Sequence, residues 1–302
     1  MYHESVLLQN IISELALKNL GVYVDATLGG GGVSFEIIDK LEEGTVICFD
    51  VDNDAIDNFK KEIYKRYKVK VVDGKCRLKN INIYLYNKNF SELKEVLKDL
   101  GINYINGIVY DLGVSSFQID NPSKGFSYIK DSPLDMRMDK NLKVTARDLL
   151  NGLYEKELYE LFKNYSEDPF SKSIARNIVL SRKIKKIEKS SELVEIIRKS
   201  VKGQAHLYHH VSRIFQALRI KVNNELGVLK DSLLQLPDIL DIGGRVIFIT
   251  FHSGEDRIVK QYFLSNSDKF LSLYKKPILP DKSEIDKNRR ARSSKMRVYE
   301  KK

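Results

Sequence analysis

Residues 24–32, VDATLGGGG, gather the most chemistry into the fewest positions. An apolar run ends in Asp25, and four consecutive glycines, Gly29 to Gly32, lead into a helical stretch. Glycine lets backbone approach a ligand with no Cβ in the way, and a helix start presents free N–H groups. The next apolar run ends in Asp50, about 20 residues further on, the spacing at which a carboxylate meets ribose hydroxyls. Together these point to an adenosine-containing cofactor. The bland alternative is a strand-to-helix turn that binds nothing.

The glycine spacing bears on which cofactor. Dinucleotide sites seat a pyrophosphate with G-x-G-x-x-G. Here the glycines are consecutive, residues 33–36 contain none, and the acidic Asp25 precedes them. S-adenosylmethionine carries no phosphate and has a positive sulfonium and a positive amino group, so acidic surroundings suit it. That cofactor is the expectation, with a nicotinamide-dependent dehydrogenase as the rival enzyme.

Two more stretches follow apolar runs. DLGVSSFQID, 111–120, offers Asp111, Ser115, Ser116 and Gln118; FHSGED, 251–256, offers His252 and Ser253. In an open α/β sheet the chemistry lies beyond the carboxyl ends of the strands, so these residues are candidates for one crevice. Asp111, Ser115 and His252 are the catalytic candidates. His206, His209 and His210 have no Cys or acid at ligand spacing, and no metal is expected. PLDMRMD, 133–139, sets Asp135 and Arg137 among methionines. RIFQALRIKVNNEL, 213–226, puts Arg219, Asn223 and Glu225 on the polar edge of an amphipathic helix.

The elements that must position these residues alternate short apolar runs with amphipathic stretches, the pattern of a parallel sheet covered by helices. Strands are predicted at 22–27, 45–50, 81–86, 105–111 and 244–252, with two more near 270–275 and 295–300. Helices are predicted at 5–17, 33–41, 53–67, 91–100 with Ser91 as N-cap, 212–236 and 254–264. Residues 68–80 and 117–140 read as loop, and 145–202 as several helices. About 130 residues separate the fourth and fifth strands, where a crossover needs about 30, so a subdomain is inserted. The division is 1–116 as the first part of the sheet domain, 117–210 as a helical insert, and 211–302 as the second part, ending in a basic tail.

Composition narrows the classes. The 302 residues are 42% hydrophobic and 30% charged, which excludes a disordered or fibrous chain. No apolar run reaches the ~20 residues of a membrane span, and the first residues lack the pattern of a secretory signal. Cys48 and Cys76 are too few for a disulfide framework, so the cytoplasm is expected. The formal net charge of +10 is concentrated: residues 285–302 carry +6 and residues 172–202 carry +7. Two such patches suggest a polyanion as partner, although a solvated helix face explains either one alone.

VDATLGGGG, DLGVSSFQID, KGFSY (124–128), PLDMRMD, RIFQALRIKVNNEL, ITFHSGEDRIVK (249–260) and NRRARSSKMRV (288–298) occur in this order. In this, the chain resembles the bacterial ribosomal RNA small-subunit methyltransferase H family, also called the MraW family, from HESVLL (3–8) to the C-terminal residues. The resemblance implies an α/β class I S-adenosylmethionine-dependent methyltransferase with a Rossmann-like sheet and an inserted helical substrate-recognition subdomain. It implies methylation of N4 of a cytosine in 16S rRNA of the small ribosomal subunit. It also implies cofactor contacts at Gly31, Gly32, Val33, Asp50, Phe90, Asp111 and Gln118. Asp135 and Arg137 are then expected on the RNA-side wall, with Arg219 and Asn223 as further substrate-binding candidates. The chain departs from the family pattern at Val33, where His is usual, at Val51 for Arg, at Gly254 for Leu, and in KGFSY and YSED (165–168) for RGFSF and YGEE. None of these removes a charged cofactor contact. An RNA-binding assembly factor without catalysis, and a methyltransferase acting on DNA or protein, are the other readings; a homodimer is one option for the assembly.

Overall fold

The computed structural model describes residues 5–201 and 206–302. His3 and Glu4 of the HESVLL stretch, and Lys202 of the basic run, lie outside the described residues. The strands are β1 (Gly21–Asp25), β2 (Glu43–Phe49), β3 (Lys75–Leu78), β4 (Asn80–Tyr86), β5 (Ile105–Asp111), β6 (Leu240–Thr250), β7 (Phe270–Ser272) and β8 (Lys295–Lys301). The first helices are α1 (Leu8–Leu15), α2 (Gly32–Lys40), α3 (Asn53–Tyr67) and α4 (Leu93–Asp99). Then come α5 (Ser116–Asp120), α6 (Ala146–Gly152), α7 (Glu155–Ser166), α8 (Ser171–Ile184), α9 (Ser190–Ser200) and α10 (Leu207–Asn223). The last are α11 (Glu225–Leu233), α12 (Leu236–Ile239), α13 (Ser253–Ser265) and α14 (Lys282–Lys287).

The chain divides into two compact units, 1–114 with 226–302 and 115–225. The first holds one eight-stranded sheet in the order β3-β4-β2-β1-β5-β6-β8-β7. β4, β2, β1, β5 and β6 run parallel, whereas β3, β8 and β7 pair antiparallel. Strand order reverses between β1 and β5, which makes their carboxyl ends the place for a ligand. This is the Rossmann-like sheet expected of a class I methyltransferase.

Period-two alternation sorts the side chains between two cores. Tyr23, Val46, Cys48, Ile247 and Ile249 face one layer with Ile11, Phe35, Phe59 and Ile63. Val24, Ile47, Phe49, Phe248 and Tyr110 face the other with Leu93, Leu229, Leu233 and Phe263. Burial on both faces is why these strands read as near-continuous apolar runs.

Several expectations need correction. Residues 75–78 form β3, not loop: the two residues between Leu78 and its partner Ile81, with Lys79 at φ +52°, turn the chain back along β4. The exposed positions Lys75 and Arg77 of this edge strand hide it among polar residues. Asn89, not Ser91, caps the turn before α4: its Oδ1 accepts from Ser91 N at 3.0 Å, while Glu92 Oε1 accepts from Asn89 N at 3.1 Å. The helix expected over 212–236 is α10, α11 and α12, broken first at Asn224, which takes φ +49°. The basic tail is not a tail, since 295–301 is β8, lying between β6 and β7. Arg297 Nε meets Asp256 Oδ1 at 2.6 Å and Lys301 Nζ donates to Pro237 O and Leu240 O, so much of that charge holds the sheet together.

The second unit is helical, but its C-terminal boundary lies beyond the expected residue 210. α10 packs with α7 and α9, burying Ile214, Phe215 and Leu218, so the helix expected in the sheet domain belongs to the insert. α7 packs on α8 and α8 on α9, and Leu158, Phe162, Ile174, Ile178, Leu193 and Ile197 form their core. The supposed loop 117–140 contains α5 and a short 3₁₀ turn at 122–124.

Candidate active site

In the sheet unit the glycine turn is held by the carboxylates that precede and follow it. Gly31 N donates to Leu28 O at 2.6 Å, and Gly31 takes φ +78° as the residue before α2. Gly29 N donates to Asp50 Oδ2 at 2.8 Å, and Asp52 N to Asp50 Oδ1 at 2.8 Å. Asp25 is buried; its Oδ2 accepts from Ser34 Oγ at 2.6 Å and its Oδ1 from Thr27 N at 3.2 Å. Thr27 Oγ1 in turn accepts from Asp111 N at 2.7 Å, tying the end of β1 to the end of β5. Val33 is 3% exposed, so its side chain is core and only its backbone can meet a ligand. The first N–H groups of α2 have no intrahelical partner by construction.

The electrostatics ask for a cation. Burial raises the carboxyl of Asp25 to about 6 and those of Asp50 and Asp111 to about 7. At Asp111 the nearby Asp25 and Glu255 add repulsion. Asp111 Oδ1 is buried with no hydrogen-bond partner among the described residues. A buried acceptor of this kind costs about 1–3 kcal/mol unless a ligand satisfies it. S-adenosylmethionine, with two positive centres and a ribose diol, fits this donor and acceptor set. A dinucleotide pyrophosphate facing three carboxylates does not. Phe90, the residue before Ser91 in the turn after β4, packs edge-on to Tyr110 at 5.4 Å and keeps part of its ring exposed.

The sequence reading missed Thr27, Ser34 and Glu255. Thr27 and Ser34 act through Asp25 and Asp111. Glu255 is 2% exposed, and its Oε2 accepts from Phe251 N at 2.8 Å. A local signal existed for Glu255: it stands three residues after a helix N-cap.

That N-cap is His252, a structural task that the sequence reading did not assign to it. His252 Nδ1 accepts from Gly254 N at 3.1 Å and Glu255 N at 3.4 Å, so its free lone pair is occupied. Nε2 is buried, 3.1 Å from Glu255 Oε1 but not aligned as a hydrogen bond. His252 is a capping residue, unable to act as a base while it does so. Ser115 and Gln118 form another capping box, at the start of α5 in the helical unit. Ser115 Oγ accepts from Gln118 N at 3.2 Å, and Gln118 Oε1 accepts from Ser115 N at 3.0 Å.

The four substrate-binding candidates also turn out to hold structure, all within the helical unit. Asp135 and Arg137 form a two-bond pair, Nε–Oδ1 2.7 Å and Nη2–Oδ2 2.9 Å, and Arg137 Nη1 donates to Leu142 O at 2.7 Å. Asn223 mimics a strand partner for the same loop: its Oδ1 accepts from Met138 N and its Nδ2 donates to Met136 O, both at 2.8 Å. Met136 takes φ +62°, a conformation that needs such support. Arg219 pairs through two bonds with Glu225, at 2.8 and 2.9 Å. The PLDMRMD stretch is thus a braced loop. Among the described residues no group of three His, Cys, Asp or Glu could hold a metal ion, and no helix is long and apolar enough to cross a membrane.

The chain matches known proteins over its whole length. A Streptococcus mutans protein named ribosomal RNA small subunit methyltransferase H is 44% identical over 319 residues, covering 99% of this chain and 98% of that one. Proteins of the same name from Dictyoglomus thermophilum and Clostridioides difficile are 43% and 42% identical. Each alignment covers 99% of this chain, with 96% and 99% of the respective relatives. With residues 1–302 matching its family description, the chain belongs to the MraW methylase family.

Proposed function

We propose that the protein transfers a methyl group from S-adenosylmethionine to the exocyclic N4 of a cytidine in 16S rRNA of the small ribosomal subunit, in the cytoplasm. The observation that carries the reading is full-length identity above 40% to relatives named as small-subunit rRNA methyltransferases. The acidic ends of β1, β2 and β5 add a site chemically suited to the cofactor. An assembly factor without catalysis is disfavoured by that site.

The cofactor supplies an electrophilic methyl on a sulfonium. Asp50 is the residue proposed to accept hydrogen bonds from the ribose hydroxyls, with Phe90 beside the adenine. The amides of Gly32 and Val33 contribute from the start of α2, and Gly31, whose own N–H is held by Leu28 O, is proposed only as a close backbone approach. Asp111 is proposed to face positive charge with its unsatisfied Oδ1, and Gln118 is retained as a cofactor contact by resemblance. The cytosine amine is a poor nucleophile because its lone pair is delocalised into the ring. The protein's work is therefore to orient that amine and to accept an N–H as positive charge develops on nitrogen. A target base inside a helix must first be unstacked.

Incubation with labelled S-adenosylmethionine and small subunits lacking the modification, followed by nucleoside analysis, tests the reading. Label on cytidine N4 is expected; label absent while cofactor binding persists would overturn it. In the same assay His252→Asn, which keeps a capping acceptor, should transfer methyl at the wild-type rate. His252→Ala should lose about 1 kcal/mol of stability through the missing cap, with activity retained at temperatures well below melting. Abolished transfer by a folded His252→Asn would restore a catalytic role.

A further inference from the structure

The helical unit contains a carboxylate–imidazole pair that the mechanism above does not use. Asp168, at the α7–α8 junction, has a side chain that is 0% exposed; His210, on the first turn of α10, is 14% exposed. His210 Nδ1 and Asp168 Oδ2 are 2.7 Å apart, and the other carboxylate oxygen accepts from Phe170 N at 2.9 Å. A carboxylate can only accept, so the proton of a neutral His210 is fixed on Nδ1. Its Nε2 is left as a lone pair. The surroundings are aromatic. Phe170 stands edge-on to the His210 ring at 5.1 Å, and the His209 ring lies 6.4 Å away. Burial, then the Arg213 guanidinium, holds the His209 imidazole below its ordinary range. Tyr208, on the same turn, is 72% exposed.

Resting on the methyltransferase reading, we propose that this turn binds an unstacked nucleobase of the RNA through its exocyclic amine. His210 Nε2 accepts an N–H of that amine, Asp168 is the positioning residue that fixes the tautomer, and Tyr208 offers a face for stacking. The arrangement is selective, because a fixed lone pair accepts from the amine of cytosine or adenine and repels the carbonyl oxygen of uracil at the equivalent position. Arg213, one turn further along α10, supplies positive charge near the bound nucleotide. Stacking on aromatic rings is the usual way in which proteins hold splayed RNA bases.

A purely structural tie between α10 and the α7–α8 junction is the competing explanation, and the variants separate the two. His210→Asn can still donate to Asp168 but has no acceptor at the Nε2 position. Its melting temperature should match that of the wild type, while KM for small subunits rises about tenfold, the cost of leaving one hydrogen-bonding group unpaired. Tyr208→Ala, which removes an exposed ring, should raise the same KM roughly five- to hundredfold, as loss of one stacked base does. The dissociation constant for S-adenosylmethionine should not change in either variant. Wild-type KM in both variants would overturn the proposal, as would a loss confined to melting temperature. If instead the wild-type protein methylates no cytidine, the underlying reading fails first, and gel-shift binding of single-stranded RNA still tests the site: Tyr208→Ala binding as tightly as wild type would overturn it.

Discussion

Asp111→Asn is expected to weaken S-adenosylmethionine binding roughly 10- to 100-fold, the worth of a hydrogen bond to a charged group, and to lower methyl transfer at least as much. The substitution keeps the size of the side chain and the Thr27-bound backbone of Asp111. It removes the negative charge from the buried carboxyl whose Oδ1 is unsatisfied. The same change should stabilise the ligand-free protein at pH 8. Asp111 is raised from 3.8 to about 7, so the folded state holds its proton more tightly than the unfolded chain. Stability from this group is thus fully present below about pH 4 and lost as pH rises through 7. Asn does not titrate and abolishes that slope. Asp25, raised to about 6, and Asp50, raised to about 7, keep theirs. Melting curves at pH 5 and pH 8, with and without cofactor, separate the effects. An undiminished cofactor affinity, or a variant less stable than wild type at pH 8, would sink the assignment.

This opposition between stability and binding explains how the site is built. Three carboxylates end neighbouring strands because a parallel sheet brings the ends of β2, β1 and β5 side by side. The fold can hold them there because backbone and hydroxyl donors serve Asp25 and Asp50. Asp111, which is left short, is the group proposed for a ligand to complete.

How much of this could be read in advance depended on the range of the interaction. The apolar runs of β1, β2 and β5 were legible because burial on both faces leaves a continuous hydrophobic signature. Asp25, Asp50 and Asp111 were legible with them, as the residues where those runs stop. β3 was not, because an edge strand buries one side only and alternates with lysine and arginine. The break at Asn224 was equally silent: one residue with positive φ divides a helix without disturbing its apolar period. The structural partners of polar residues were the least legible. His252, Arg137, Arg219 and Asn223 look chemical in isolation, yet each is engaged by partners the sequence does not reveal, such as Met136 and Met138 for Asn223 across more than 80 residues.

Gly31→Ala should be strongly damaging for a single methyl group in the sheet unit. Gly31 adopts φ +78°, where a Cβ costs about 1–2 kcal/mol. The added methyl would also enter the Phe59 ring, itself fully buried and 4.5 Å from Phe35. Overpacking of that kind adds about 1–3 kcal/mol. A combined loss of about 2–5 kcal/mol corresponds to a melting temperature lower by roughly 5–15 °C for a unit of this size. Relief requires the turn to move, and Gly29 N then leaves Asp50, so cofactor affinity should fall together with stability. Gly152→Ala is the matched control. Gly152 ends α6 with an ordinary φ and nothing within 4 Å of an added Cβ, so alanine there should be neutral or stabilise by up to about 1 kcal/mol. Opposite signs from the same chemical change would tie the effect to the conformation and crowding of the turn; equal small effects would mean that the turn adapts without cost.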